Sequence, residues 1–297
     1  MEDTLKKSTV EFISKIPNET YSIGVFEGSS LFDLSPSKNC KNPILHRGRI
    51  PGDNMNFVAD PFALYHEDKW YLFYEKMELD SRKGKICVVI SDDGFTWTQS
   101  MEVLEESFHL SYPQVFKNGD DFYMIPESYE ANEIRLYKSK SFPFDWNFEK
   151  VILPISSVDS TIFFKDNLWW LFVCDAPKEH NKLRLFYSED LYSEWTEHDQ
   201  SPIIENDNRI SRPAGKILEY GGKIYRFAQD CSEFYGQSVH AIEIEILNKN
   251  EYRERELDVN PILSAGDESW NKVSMHHLDL HKNGKGGYIA FVDGRTH

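Results

Sequence analysis

The chain has 297 residues, of which 40% are hydrophobic and 14% aromatic, and this composition predicts a packed globular protein. Its 33 basic and 49 acidic side chains give a formal net charge of −16, which disfavours nucleic acids and anionic membranes as partners. No apolar run is long enough to span a bilayer, and the N-terminus lacks the apolar segment of a signal peptide. We therefore expect a cytoplasmic protein without a membrane span, and the wide spacing of its four cysteines predicts free thiols rather than a metal site.

Five stretches of the sequence share one pattern: a short apolar run, a turn rich in Gly, Asn, Asp or Lys, and a second run rich in aromatic residues. This pattern is typical of a β-hairpin. In chain order the stretches are DPFALYHEDKWYLFYE (60–75), YPQVFKNGDDFYMIPE (112–127), DSTIFFKDNLWWLFVCD (159–175), RPAGKILEYGGKIYRFAQD (212–230) and HHLDLHKNGKGGYIAFVDG (276–294).

A second predicted hairpin follows each of the first four stretches, so one unit has four strands and recurs about every 50 residues. Four-stranded antiparallel units repeated in this way predict an all-β fold, the five-bladed β-propeller. The fifth stretch lacks its second hairpin, and YSIGVFEG (21–28) with NPIL (42–45) at the other end of the chain supplies the missing strands. We therefore predict one propeller domain over 21–297, with the last blade closed by the N-terminus and a lead-in segment over 1–20.

The two ends of each first hairpin are polar in all five units. In an antiparallel hairpin, two residues on opposite strands face each other when their numbers add up to a constant. The start of the first strand therefore lies beside the end of the second strand. Inner strands of a propeller run alike around the channel, so these ends converge on one mouth. First-strand starts predicted at the mouth are Asp60, Tyr112, Asp159, Arg212, His276 and His277. Second-strand ends predicted there are Glu75, Glu127, Asp175, Asp230 and Asp293.

Acidic side chains crowded together raise one another's pKa values, and this suits general acid catalysis. The alternative is that these residues are ordinary strand ends in contact with water. A set repeated over five blades favours a site, whereas Glu75, Asp175 and Asp293, taken singly, are better explained by solvation or turn chemistry. The loop QDCSEFYGQ places Tyr235 and Gly236 at the same mouth, where they are candidates for lining a pocket.

Six segments of the sequence resemble the N-terminal propeller domain of the glucosamine inositolphosphorylceramide transferase family. They are YSIGVFEG, FVADPF, HLSYPQVF with YMIPES, VDSTIFF with WWLF, RPAG with YRFAQDCSEFYG, and HHLDL with VDG. The resemblance runs from about Tyr21 to Asp293 and does not extend to the glycosyltransferase domain that follows in the plant proteins. DPF with WYLFYE and SDDGFTW is more remotely similar to the five-bladed glycoside hydrolases of families 43 and 32.

The resemblance to family 43 implies roles for individual residues. It implies that Asp60 is a general base and that Asp159 holds the position of the general acid. Tyr112 stands where those enzymes have a carboxylate that tunes a pKa, and the neighbouring Glu127 is a partial substitute. His276 or His277 corresponds to the place where such enzymes hold a channel ion or water, so the resemblance allows a cation near His277, although no metal-binding motif is present.

Two hypotheses follow, and a third is weaker. The first is an inverting glycosidase with Asp60 as base and either Asp159 or Glu127 as acid, while Tyr112 and Arg212 position the substrate. The second is a propeller that binds a carbohydrate or glycoconjugate without cleaving it and serves a glycosyltransferase encoded elsewhere. The third is a protein-interaction propeller, although the sequence lacks the Trp-Asp and double-glycine signatures of that class. None of the three requires nucleic acid.

Overall fold

A computed structural model describes residues 20–48, 55–284 and 286–296. These residues form five antiparallel sheets, and the inner strand of each sheet contacts the inner strands of its two neighbours in a closed ring. The fold is therefore the predicted five-bladed propeller. The predicted lead-in over 1–20 lies outside the described residues except for Thr20, which begins the first strand. No helix in the described part of the chain is long and apolar enough to cross a membrane.

Blades 1 and 2 have four strands each, and hydrogen bonds join the strands in chain order from the channel outward. Blade 1 consists of β3 (Met55–His66), β4 (Lys69–Glu78), β5 (Gly84–Ser91) and β6 (Met101–Leu104). Blade 2 consists of β7 (Ser111–Asn118), β8 (Asp121–Glu127), β9 (Ile134–Ser141) and β10 (Phe144–Leu153), with a 3-10 turn at Tyr129–Ala131.

Blades 3 and 4 follow the same plan, but some of their strands are interrupted. Blade 3 consists of β11 (Val158–Lys165), β12 (Leu168–Cys174), β13 (Lys182–Ser188) and an outer strand divided into β14 (Thr196–Glu197) and β15 (Ile204–Glu205). Blade 4 has a divided inner strand, β16 (Arg212–Pro213) and β17 (Leu218–Tyr220), then β18 (Lys223–Asp230), β19 (Ser238–Leu247), β20 (Tyr252–Glu256) and β21 (Leu263–Ser264).

Blade 5 joins the two ends of the chain, as predicted. Its inner strands are β22 (Leu278–Lys282) and β23 (Tyr288–Thr296), and its outer strands are β1 (Thr20–Gly28) and β2 (Ser35–Pro36). The segment NPIL was predicted to be the fourth strand, but that place is taken by β2, and Leu45 forms only an isolated bridge to Ile23. The resemblance between the two NPIL segments is structural, because Asn42 and Asn260 each bond both main-chain groups of one residue on the neighbouring strand.

The hydrophobic core is divided among the contacts between neighbouring blades. Each of five clusters of buried side chains draws its members mainly from two adjacent blades, from the cluster around Tyr74 and Phe291 to the one around Phe172 and Ile244. Each blade takes part in two such clusters, so removing one blade would expose apolar surface on both of its neighbours. This ring of cores fixes the inner strands, and the inner strands position the site.

Candidate functional site

A β-bulge interrupts the inner strand in each of blades 1, 2 and 3. Asp60, Tyr112 and Asp159 sit in these bulges, with φ angles of 53°, 46° and 48°. Residues with a Cβ atom seldom adopt this left-handed region, and a bulky residue such as tyrosine does so least readily. Such strain is usual where a side chain is re-aimed next to a functional site. The same distortion therefore directs three residues toward one mouth.

The bulges correct the predicted register by one residue. Asp60 was predicted to face Glu75, but the partner of Glu75 is Ala59. Likewise Glu127 pairs with Ser111 instead of Tyr112, and Cys174 pairs with Val158 instead of Asp159. In blade 4 the partner of Arg212 is Gln229, not Asp230 as predicted. In blades 1 to 3 the constant-sum rule fails because a bulge inserts one extra residue into the inner strand. In blade 4 it fails because the inner strand is divided into β16 and β17, which pair with β18 in different registers.

Carboxylates link successive blades through the main chain of these bulges. The N–H of Asp60 donates to Oδ2 of Asp293 at 3.1 Å, and the N–H of Tyr112 donates to Oδ2 of Asp60 at 3.2 Å. The N–H of Asp159 donates to Oε2 of Glu127, also at 3.2 Å. The strained backbone is therefore held by carboxylate acceptors. These acids have a structural function in addition to any chemical one.

Tyr112 closes the channel beneath these acids. Its hydroxyl accepts the N–H of Gly215 in blade 4 at 2.7 Å and bonds the hydroxyl of Thr161 in blade 3 at 2.8 Å. The rings of Phe62 and His277 pack edge-on against it, with centroids 4.7 and 5.4 Å away. The phenol predicted to position a ligand is therefore saturated by protein groups and ties blade 2 to blades 3 and 4. We call the cluster of polar side chains around this mouth, built on Asp60, Glu127 and Arg212, the cup.

On one side the cup contains an aspartate–histidine cluster. Nδ1 of His276 lies 2.7 Å from Oδ1 of Asp293, and its Nε2 lies 3.7 Å from Oδ1 of Asp60. Burial raises the pKa of Asp60 to about 7, although the charge of His276 acts in the opposite direction. Burial also opposes a charged His276, but the charge and hydrogen bond of Asp293, with the charges of Asp60 and Asp159, together raise the pKa of the imidazole. The cluster thus favours a protonated histidine between two acids.

The same cluster is also a candidate metal site. Asp60, His276 and Asp293 each offer one ligand atom, and these atoms lie within 4.8 Å of one another. However, Oδ1 of Asp293 already accepts the main-chain N–H groups of His276 and His277, and its Oδ2 accepts that of Asp60. Because these acceptors are occupied, the cluster fits an imidazolium better than a metal. His277, near which a cation was considered, is fully buried, and burial lowers its pKa to about 4.

The other side of the cup is built around Arg212. Its Nε donates to Oδ2 of Asp159 at 2.5 Å, and the amide of Gln229 donates to the same oxygen at 2.6 Å. Asp159 is only 1% exposed, so this carboxylate is committed to a buried ion pair. Glu127 lies 3.6 Å from Nη2 of Arg212, and burial together with the charge of Asp159 raises its pKa well above the usual value. Of these two predicted acids, Glu127 is the better placed to hold a proton.

Glu75 is a third buried acid, and its partner was not predicted. Nε2 of His109 lies 3.7 Å from Oε1 of Glu75, while Nδ1 of His109 accepts the N–H of Gly84 at 2.9 Å. That hydrogen bond places the proton of a neutral ring on Nε2, facing the carboxyl. Burial, followed by the charges of Asp60 and Glu127, raises the pKa of Glu75 well above its usual range. Glu75 therefore belongs to the cup, although no specific task was predicted for it.

Two predicted residues lie toward the rim. Tyr235 is half-buried, with its ring 4.7 Å from the Arg212 guanidinium and 5.4 Å from the ring of His276. Asp230 bonds within its own loop, accepting the N–H of Ser232 and the side-chain amide of Gln237. Asp230 thus shapes the loop that carries Tyr235.

Asp175 lies beside β13, where Lys182 and Arg184 pair with it.

His180 is a member of the site that sequence reasoning missed. It lies in the loop between β12 and β13, and its Nδ1 is 3.2 Å from Nη1 of Arg212, while its ring centroid is 5.6 Å from that of Tyr235. Burial and the charge of Arg212 lower the pKa of His180 to about 4. The signal was available, because this loop leaves the mouth end of a second strand just as the Tyr235 loop does.

Comparison with known structures supports the fold. The α-L-arabinofuranosidase of Podospora anserina, solved with cellotriose, is 12% identical with a TM-score of 0.61 over 83% of this chain and 93% of that one. A family-62 α-L-arabinofuranosidase catalytic domain of Coprinopsis cinerea is 11% identical with a TM-score of 0.60 over 92% of this chain and 97% of that one. A thermostable family-43 glycoside hydrolase is 16% identical with a TM-score of 0.57 over 80% of this chain and 88% of that one. At these identities the likeness concerns the fold alone.

Comparison of sequences identifies the family. The protein named glucosamine inositolphosphorylceramide transferase 1 of Arabidopsis thaliana is 36% identical over 296 residues, and that of Oryza sativa subsp. japonica is 34% identical over 299 residues. Both alignments cover 93% of this chain, which spans only 39% and 40% of the lengths of these relatives. The family described as "Glucosamine inositolphosphorylceramide transferase 1, N-terminal" matches residues 15–295. The chain therefore belongs to this N-terminal family of the glucosamine inositolphosphorylceramide transferases, and within it forms a five-bladed propeller.

Proposed function

We propose that the cup binds the sugar portion of a glycoconjugate and that the propeller serves a glycosyltransferase. The observation that carries this proposal is the commitment of Asp159 to Arg212 and Gln229 through one oxygen, in a position that is 1% exposed. A hydrolase built on the family-43 plan would need a proton donor at that position. A carboxyl group must be protonated before it can donate a proton. Protonating an ion-paired carboxylate would leave the buried guanidinium without its partner, so such a group is a poor proton donor.

The groups that remain suit hydrogen bonding to hydroxyls. Glu75 and Glu127 hold their protons more tightly than usual, so each offers both a donor and an acceptor. Oδ1 of Asp60 and Nε2 of His276 lie 3.7 Å apart, which is too far for a direct hydrogen bond, so both atoms can bond a ligand hydroxyl. Tyr235 adds an aromatic surface at the rim. A few fixed polar groups beside aromatic rings are typical of small-ligand sites.

The names of the relatives indicate which ligand to test first. Those proteins are named for glucosamine and inositolphosphorylceramide. A glycosylated inositol phosphate headgroup is therefore the first ligand to test here. Since this chain spans about 40% of their length, the partner glycosyltransferase would be provided by a separate domain or chain.

Hydrolysis is the second candidate, and the pKa values of two acids favour it. Asp60, with its pKa raised to about 7, would act as base once ionised, and Glu127 would be the acid because burial keeps it protonated. An inverting mechanism requires about 6.5–9.5 Å between the two carboxyl groups so that water fits between base and sugar. Turnover by this pair would rise as the pH passes 7 and fall when Glu127 loses its proton.

One experiment tests both candidates. The purified chain is titrated calorimetrically with inositol phosphate glycosides and with neutral mono-, di- and trisaccharides, and the same mixtures are analysed for released sugar. We expect binding without release, weakened at least tenfold by Glu127→Gln and unaffected by Glu194→Gln on an exposed outer turn. Release of sugar that Asp60→Asn abolishes would establish the hydrolase instead. If no saccharide binds to a folded chain, both candidates are wrong.

A further inference from the structure

The loop between β18 and β19, residues 231–237, is fixed to the body of the propeller over the mouth. The N–H of Cys231 donates to the carbonyl of Asn208 at 2.8 Å, and the N–H of Gln237 donates to the carbonyl of Asp230 at 2.9 Å. Gly236, at φ +63°, lies so close to His276 that an added Cβ would come within 2.7 Å of the histidine Cβ. A loop anchored in this way presents its side chains at fixed positions.

Two consecutive aromatic residues of this loop have different surroundings. Tyr235 turns into the cup, between Arg212 and His276. Phe234 is 39% exposed, and its ring lies 5.1 Å from the guanidinium of Arg295 in blade 5. A cation positioned against one face of a ring holds its orientation. Single exposed aromatic residues are common, but this one stands next to the polar site on an anchored loop.

We propose that Phe234 forms a second sugar subsite. Its phenyl ring would stack against the sugar next to the one that the cup holds. A pyranose has an apolar C–H face and polar edges, so an aromatic face and a set of acids recognise different parts of it. Neighbouring Cα atoms are about 3.8 Å apart, so the side chains of Phe234 and Tyr235 start close enough to contact neighbouring rings of one glycan. The ligand class is therefore a glycan of two or more rings. This inference rests on the proposed function.

The second subsite should be seen as a dependence of affinity on ligand length. Affinity is measured by calorimetry for methyl glycosides of glucose, glucosamine, galactose and mannose and for the corresponding di- and trisaccharides. We expect the wild type to bind the best disaccharide about tenfold more tightly than its monosaccharide, the size of one aromatic contact. Phe234→Ala should remove this gain and leave monosaccharide binding unchanged, whereas Phe234→Trp should keep it and shift the tryptophan emission when a disaccharide binds.

A matched control is available on blade 2. Phe148 is 48% exposed and lies 5.0 Å from the Arg135 guanidinium, so Phe148→Ala removes the same kind of contact on an outer strand and should change nothing. If Phe234→Ala binds disaccharides as the wild type does, the second subsite is refuted while the cup stands. If the folded wild type binds no saccharide of any length, the proposed function fails and this inference fails with it.

Discussion

Asp60→Asn is the substitution that tests the electrostatics of the cup most directly. The folded protein holds the Asp60 proton until the pH reaches about 7, whereas the ordinary aspartate pKa is 3.8. Between these values the unfolded chain binds fewer protons at this residue than the folded protein does. Stability must therefore fall as the pH rises through this interval. Asparagine does not titrate, so the stability of the variant should not fall in this way as the pH rises.

The expected change in unfolding free energy follows from the same two pKa values. At about 1.36 kcal/mol per pH unit, ionising Asp60 in the folded protein costs about 4 kcal/mol, of which about 3 kcal/mol accrues between pH 5 and pH 8. The amide oxygen of the substituted side chain can still accept the N–H of Tyr112, so the comparison isolates the charge. Relative to the wild type, the variant should therefore gain about 3 kcal/mol of unfolding free energy from pH 5 to pH 8.

Urea unfolding followed by tryptophan fluorescence at pH 5, 6, 7 and 8 measures this difference. Asp33→Asn is the control, because hydrogen bonds from Ser29 and Ser30 hold the pKa of Asp33 below its usual value and it is ionised at all four pH values. Its difference from the wild type should not change with pH. A difference for Asp60→Asn that is equally flat would show that Asp60 is ionised well below neutral pH, and the reasoning about the cup would be wrong.

Two further predictions concern the neighbours of this acid. Arg212→Gln should lower the unfolding free energy by about 3–5 kcal/mol because Asp159 is left as a buried carboxylate without its cation; a loss below about 1 kcal/mol in urea unfolding would contradict the ion pair. Gly236→Ala should weaken saccharide binding more than tenfold, since the new methyl meets His276 and displaces the loop. Gly221→Ala has a similar φ of +59° with open space around it, so it should lose stability but retain binding, and equal binding losses would exclude a role for the contact.

The fold was predictable because it repeats. Five hairpins with the same alternation of apolar run, turn and aromatic run reveal the blades, and the missing half-blade at the C-terminus reveals where the ring closes. Glu127, Arg212 and Tyr235 were located by following that repeat to its ends. Strand spacing determines which residues reach a mouth, and this information is present in the sequence.

The contacts inside the cup were not predictable in the same way. The bulges at Asp60, Tyr112 and Asp159 shift the register by one residue, and no glycine marks them. Their positive φ angles persist because acids of adjacent blades accept the strained N–H groups. His109 was missed because a histidine in a loop has no spacing rule, and only the assembled ring brings it beside Glu75. His180 could have been found by following its loop from the mouth end of β12, but its contact with Arg212 could not.

The buried acids and the strained backbone of the cup lower the stability of the fold, and this favours a function for the cup. Buried acids whose pKa values are raised by the loss of water stabilise a fold less than apolar side chains of the same size would. Glu75 and Glu127 both have pKa values raised by burial, and Tyr112 is held in a strained conformation. A propeller needs none of this to close, because its five clusters between blades hold the ring. Backbone strain and buried acids concentrated in one place are found more often at functional sites than in purely structural channels.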